Sequence, residues 1–342
     1  MADYIIKNGT VIDGTGKKRF RADVVITGDK IETVEHIGYL KGNSYKVIDA
    51  RNKIVCPGFV DPHSHADLTI YRKDSHSILA PLVRQGITTF VGGNCGMSLA
   101  PVNDEYHDDL KLYIEAFTAK DFEKEIKWQS FGEFLNLIEK NGMPLNYAPL
   151  APHGLIRICS MGRKNRYARD SEIKTMCNML EDSIEGGAIG LSSGLQYMPG
   201  LNSETRELAE LGKVLKKHEG IYTSHLRSYM NTLPQAIDEL ISIARSNNIR
   251  AQISHIFWVP DLGIIGPIFQ GVMRGLIDLS KFWTPPLPLD TEIQKQLDRL
   301  DRLRKRGVNI GMDVMPTTTT FTHLFAYFPP WAVEGPRDLI YN

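Results

Sequence analysis

Five side chains able to bind a metal ion fall where short apolar runs give out. They are His63 and His65 in PGFVDPHSHADL, Cys95 in GGNCGMS, His225 in YTSHLR and His255 in QISH. Imidazole nitrogen mixed with thiolate sulfur suits zinc, at ligand distances of about 2.0–2.3 Å. Each residue alone also has an ordinary reading. A histidine more often makes hydrogen bonds than binds metal, an HxH pair by itself is weak evidence, and an isolated cysteine is commonly a small buried hydrophobe. Their shared position favours metal. Residues i and i+2 of a strand point to one side, so His63 and His65 read as facing a common axis. Cys95, in a tight glycine-rich turn, has lone pairs enough to bridge two ions.

The elements that must carry these residues follow from periodicity. Residues 1–55 contain β-branched stretches punctuated by NG, TGD and DG, which predicts a small all-β unit, an N-terminal β-sandwich portion. From residue 56 onward, short apolar runs alternate with helix-length segments, the pattern of a parallel sheet with helical crossovers. The runs are IVCPGFVD, GITTFVGG, LNYAPLAP, AIGLSS, GIYTSH, AQISH and VNIGMDV. Amphipathic segments lie between several of them. One is SEIKTMCNMLEDSIEGG with its glycine stop, and another is SETRELAELGKVLKKHEG, which reads as opening on a serine N-cap. The expected fold is α/β: a (β/α)8 barrel with its active site at the C-terminal strand ends, incomplete at about seven strands. The Gly/Pro-rich segment 259–300 reads as an insertion, either a lid or a plain surface excursion.

Composition excludes several classes. The 342 residues carry a formal net charge of zero, with 42% hydrophobic and 23% charged residues. No basic excess points to nucleic acid, and no run of about 18 apolar residues points to a membrane span. The four cysteines are scattered without CxxC spacing, so a reducing cytoplasm is expected.

With these residues in view the chain resembles the amidohydrolase superfamily, and within it the D-aminoacylases, or N-acyl-D-amino-acid deacylases. The resemblance runs through PGFVDPHSH, GITTFVGGNCG, APLAPHG, GAIGLSSGLQYMPG, YTSHLRS and ISH to DVMP and FPPW. PGFVDPHSH marks only the superfamily; NCG, GLSSGLQYMPG and SHLR are specific to the deacylase branch. It implies a tightly held zinc on Cys95, His225 and His255, and a second, weaker metal on His63 and His65 with Cys95 bridging. Hydantoinase and dihydroorotase relatives bridge their metals with a carbamylated lysine at the end of the fourth strand. AIGLSSGLQY has no lysine there, and a thiolate bridge fills the gap.

The implied reaction is hydrolysis of a linear amide, removing the acyl group from a small N-acyl-D-amino acid. The ion acidifies water that attacks the acyl carbonyl, and a carboxylate moves the proton. In the family that carboxylate is an aspartate after the eighth strand, which places it beyond Asn342. Asp313 instead matches the acid closing the seventh strand, either orienting the site or fixing a loop. Asp61 reads as an orienting acceptor, or as a stand-in base. Arg227 reads as a bidentate partner for a substrate carboxylate or as a structural ion pair, and Tyr197 as a donor to substrate or as packing. Phe257 stands where relatives commonly have a lysine. Met315 and Thr317 stand where relatives have tyrosines. Two other readings stay open: a cyclic-amide hydrolase, and a non-catalytic fragment or one subunit of a split enzyme whose second chain completes the barrel.

Overall fold

A computed structural model of the chain describes residues 3–35, 45–118, 122–258 and 291–317. Turn chemistry shapes the first unit, Met1–Phe59. Strands β1 (Tyr4–Val11), β2 (Phe20–Thr27), β3 (Lys30–Glu35), β4 (Lys46–Asp49) and β5 (Ile54–Val55) form one sheet in the order β3-β2-β1-β4, with β5 also on β1. Gly28 and Asp29 close the β2–β3 hairpin, and Gly28 takes φ 60°, the positive value such a two-residue turn requires. The register of β1 slips between Ile6 and Gly9. There Asn8 sits at φ 66° and donates its N–H to Asp23 Oδ1 at 2.9 Å. The expected sandwich portion is thus a single mixed sheet among the described residues. Its buried cluster is Val11, Ala22 and Val24, flanked by Ile6, Ile26 and Val55. The first unit runs to Phe59, and β5 near its end pairs with β1.

All seven apolar runs carry strands. They contain β6 (Phe59–Asp61), β7 (Ile87–Gly92), β8 (Asn146–Pro149) with β9 (Ala151–Pro152), β10 (Gly190–Gly194), β11 (Ile221–His225), β12 (Arg250–Ile253) and β13 (Ile310–Met312). Their order is β6-β7-β8 and β9-β10-β11-β12-β13, chain order throughout, and the paired registers from β7 to β13 are parallel. The run 145–152 serves both groups: β8 pairs with β7, the chain bends at Leu150, and β9 pairs with β10. This is the barrel architecture expected from the sequence.

Helices α1 (Ser75–Arg84), α2 (His107–Ile114), α3 (Phe131–Asn141), α4 (His153–Met161), α5 (Asp170–Glu185), α6 (Thr205–Lys217), α7 (Leu233–Asn247) and α8 (Thr291–Lys305) lie in the crossovers. Their apolar stripes pack on the sheet. In α6, Leu208, Leu211 and Leu215 are buried at four- and three-residue spacing. Helix α5 stops at Gly186, as read. The N-cap position of α6 is Glu204, whose side chain makes no capping hydrogen bond, and not Ser203, whose hydroxyl is turned onto the Gly200 carbonyl at 2.5 Å. Of the expected insertion, residues 259–290 lie outside the described residues, and 291–300 belong to α8. Among the described residues no helix is long and apolar enough to cross a membrane.

Candidate metal centre

Parallel register brings the ends of successive strands level. Gly194 pairs with His225, Ser224 with Ile253, and Ile253 with Met312. His225 therefore closes β11 while His255 and Asp313 follow immediately after β12 and β13. The phase argument for His63 and His65 is corrected. Strand β6 ends at Asp61, Pro62 cannot donate to a ladder, and Asp61 Oδ1 accepts the His63 N–H at 3.1 Å, which starts a turn. The two rings nevertheless meet edge to face with centroids 5.6 Å apart, His63 lying 5.0 Å from the His255 ring.

Cys95 occupies an unusual backbone. Gly93, Cys95 and Gly96 have φ of 77°, 57° and 71°. A Cβ on Gly93 would lie 2.1 Å from the Leu150 carbonyl oxygen, so only glycine fits. For Cys95 a left-handed conformation is strained, and it persists because neighbours over-determine it. Tyr197 donates to the Cys95 carbonyl at 2.6 Å and Tyr113 to the Gly96 carbonyl at 3.1 Å. Ser192 donates to the Gly93 carbonyl and accepts from the Gly96 N–H at 2.9 Å.

The turn aims sulfur into the histidines. Cys95 Sγ lies 3.3 Å from His63 Nε2 and 3.5 Å from His255 Nε2. Two atoms bound to one tetrahedral zinc at about 2.0–2.3 Å sit roughly 3.6 Å from each other. The ligand atoms of His63, His65 and Cys95 lie within 4.8 Å of one another, as do those of Cys95, His225 and His255. Both clusters share the sulfur. Burial raises the Cys95 thiol, but the positive charge of His63 and hydrogen bonds from His225, His255 and His63 bring it well below the ordinary value. A thiolate is the form that binds metal. Burial pushes His225 down, favouring the neutral imidazole that binds metal. For His63, burial is outweighed by the Cys95 charge and by Asp313, which hold it up at about 10. In donor chemistry and spacing, the residues fit one or two divalent ions.

Other expected residues find different roles. Asp313 accepts from the His255 N–H at 2.6 Å and from Gln252 at 2.9 Å, and lies 3.2 Å from His63 Nδ1. Both of its oxygens are engaged, so it orients the histidines. Arg227 is held bidentately by Glu239, at 2.9 Å from both Nε and Nη2, and also donates to the carbonyls of Leu201 and Ser203. The substrate-clamp reading of Arg227 therefore gives way to the structural ion pair. Tyr197 is buried, with its hydroxyl on the Cys95 carbonyl, and serves the turn. Phe257 stacks on Tyr229 with centroids 4.4 Å apart, beside His255. Met315 is exposed.

Sequence reasoning missed Gln196, whose Oε1 lies 2.9 Å from His225 Nε2. It also missed Tyr229, which accepts from the Leu226 N–H at 2.8 Å and donates to the Ser254 carbonyl at 3.0 Å, with His225 and His255 each 5.2 Å from its ring. Asp67 was missed as well. It is fully buried two residues past His65, and burial pushes its pKa up. No period marks such residues, because they face a site and not a core.

The chain is 30% identical over 253 residues to the D-aminoacylase of Alcaligenes xylosoxydans xylosoxydans, covering 74% of this chain and 50% of that protein. It thus spans about half the length of the curated relatives it matches. A D-aminoacylase structure described by its binuclear metal centre superposes with TM-score 0.72 at 27% identity, over 93% of this chain and 59% of that one. The N-acyl-D-glutamate deacylase of Bordetella bronchiseptica, complexed with zinc and a phosphonate inhibitor, gives TM-score 0.71 at 26% identity, over 92% and 59%. The amidohydrolase family model matches residues 46–339, a span that holds every ligand of the two clusters. With a parallel barrel that delivers imidazoles and a thiolate to one rim, and a family model that covers most of its length, the chain belongs to the amidohydrolase family.

Proposed function

We propose that this chain provides the metal-binding barrel of a zinc-dependent hydrolase of linear amides, acting in the cytoplasm to remove the acyl group from small N-acyl-D-amino acids. The observation that carries the reading is the convergence of four imidazoles on one buried thiolate. Cys95, His225 and His255 would hold the tighter ion, and His63 and His65 with Cys95 would hold the weaker one. When bound, the ion supplies Lewis acidity toward a carbonyl oxygen and lowers the pKa of water from 15.7 to about 7.

The chain's own residues do the rest. Asp313 fixes the His255 backbone and faces the His63 ring. The turn of Gly93 to Gly96, tied by Tyr197, Tyr113 and Ser192, holds the sulfur in place before any ligand arrives. The stacked pair of Tyr229 and Phe257 sets an apolar surface beside His255. None of the described residues is assigned the general base. The linear-amide reading is supported by relatives that are deacylases of D-amino acids.

The test combines metal content with a substrate panel of N-acyl-D-amino acids, their L enantiomers and hydantoins. Zinc in the purified protein, and release of the acyl group from the D series alone once any partner chain is supplied, is the expected result. Preferential opening of hydantoins would replace the linear-amide reading, and failure to retain any divalent ion would overturn the metal centre.

A further inference from the structure

The loop after β10 is tied to the metal cluster at its start and to two arginines at its end. Leu195 donates its N–H to the His225 carbonyl at 3.0 Å, and Tyr197 donates to the Cys95 carbonyl at 2.6 Å. At the far end three consecutive carbonyls meet guanidinium groups. Arg227 donates from Nη1 to Leu201 at 2.8 Å and from Nη2 to Ser203 at 2.9 Å, while Arg157 Nη2 donates to Asn202 between them at 3.3 Å. A helix carboxylate neutralises each arginine, Glu239 of α7 for Arg227 and Glu207 of α6 for Arg157. Between its two ends the loop closes on itself. Leu201 donates its N–H to the Tyr197 carbonyl at 2.8 Å, and a Cβ on Gly200 would lie 2.1 Å from the Gly194 carbonyl oxygen.

Backbone packed that closely transmits a restraint from one end to the other. Arg227 supplies most of that restraint. Its planar fork sets Nε and Nη2 on Glu239, each at 2.9 Å, and still reaches two loop carbonyls. The compact ammonium of a lysine cannot reproduce that geometry. We infer that Arg227 is a positioning residue: anchored on Glu239, it holds the carbonyls of Leu201 and Ser203, and through the loop after β10 it keeps Tyr197 on the Cys95 carbonyl and so locks the left-handed turn that presents the sulfur. The inference concerns the chain's own turn, and it stands or falls whether or not an ion is bound.

Thiol labelling of the full chain after chelator treatment tests it, with each cysteine followed by peptide mass spectrometry. A buried thiol reacts through local opening, and Cys159, buried in α4, serves as the internal control for Cys95. In Arg227→Lys and Arg227→Met, Cys95 is expected to label about 10- to 100-fold faster than in the parent, the effect of losing a hydrogen bond to a charged group, while Cys159 keeps its rate. Tyr197→Phe should accelerate Cys95 alone to a similar degree, and adding Arg227→Lys to it should bring little more, because both act along one route. Parental Cys95 rates in both Arg227 variants would overturn the inference. Equal acceleration of Cys159 would reduce Arg227 to a general structural ion pair, parental behaviour of Arg227→Lys alone would show that charge suffices without the fork, and additive effects of the Tyr197 and Arg227 changes would rule out the route through Tyr197.

Discussion

Removing the Cys95 sulfur should weaken both metal clusters at once, because that one atom belongs to each of them. Structural zinc binds with about 10–16 kcal/mol, which over four ligands is roughly 2.5–4 kcal/mol per ligand. At 1.4 kcal/mol per decade, loss of one ligand raises a dissociation constant by about 60- to 700-fold. Cys95→Ala is expected to show that loss in both clusters. His65→Ala should show it only in the cluster of His63, His65 and Cys95. Backbone strain does not confound the comparison, since alanine at φ 57° is disfavoured as cysteine is. The assay is zinc competition against a chromophoric chelator, with metal stoichiometry measured on the same samples and a circular dichroism melt to establish folding. Cys95→Ala protein that keeps parental stoichiometry and affinity would refute the shared-sulfur reasoning. A His65→Ala protein that loses all metal would refute the division into two clusters.

Three further outcomes follow from the surrounding structure. Glu207 lies 2.8 Å from His153 Nε2 and 2.5 Å from Arg157 Nη1, all fully buried, so Glu207→Gln leaves Arg157 with an uncompensated charge. Denaturant unfolding should show a loss of about 3–5 kcal/mol, and a loss below about 1 kcal/mol would place the pair among weak surface bridges. Gly93→Ala forces a Cβ to 2.1 Å from the Leu150 carbonyl oxygen, so the turn must move. Thermal stability and zinc affinity should fall together, and parental values for both would show that the turn does not depend on glycine. Glu172 is held at about 2 instead of 4.5 by hydrogen bonds from Arg166 at 2.6 and 2.8 Å. A depressed carboxyl stabilises above its unfolded pKa and loses that contribution as pH falls from 4.5 toward 2. Glu172→Gln should therefore be less stable than the parent at neutral pH and converge with it in that acid window; a constant difference across it would contradict the assignment.

Legibility in the sequence tracked burial. The seven runs could be read because a parallel strand covered on both faces tends toward a continuous apolar run, although β10, buried at every position, includes Ser192 and Ser193. The positions of the candidate ligands, which the fold brings together, are where those runs stop. Details set by individual hydrogen bonds could not be read. His63 and His65 look like alternate residues of a strand, but Asp61 captures the next N–H and ends β6 early. Ser203 looks like a helix cap until its hydroxyl has a nearer carbonyl on Gly200. Arg227 looks like a carboxylate clamp until α7 supplies Glu239. Each case turns on a partner distant in the chain or on a competing local acceptor, and neither leaves a periodic trace.

Two of the five candidate ligands, Cys95 and His255, have positive φ, at 57° and 37°. A ladder residue could not take that conformation, so both ligands must sit just where pairing ends, close enough to a rigid strand to be held and far enough to turn. What holds them is protein. Asp313 takes the His255 N–H, and Tyr197, Tyr113 and Ser192 take the carbonyls around Cys95. Strain carried by hydrogen bonds from neighbouring strands and loops is fixed during folding, and a metal ion then meets ligands already converged. The same argument explains why glycines flank Cys95. The turn packs against the backbones of Leu150, Gly194 and Gly154, and a side chain at Gly93 or Gly96 would push it off them.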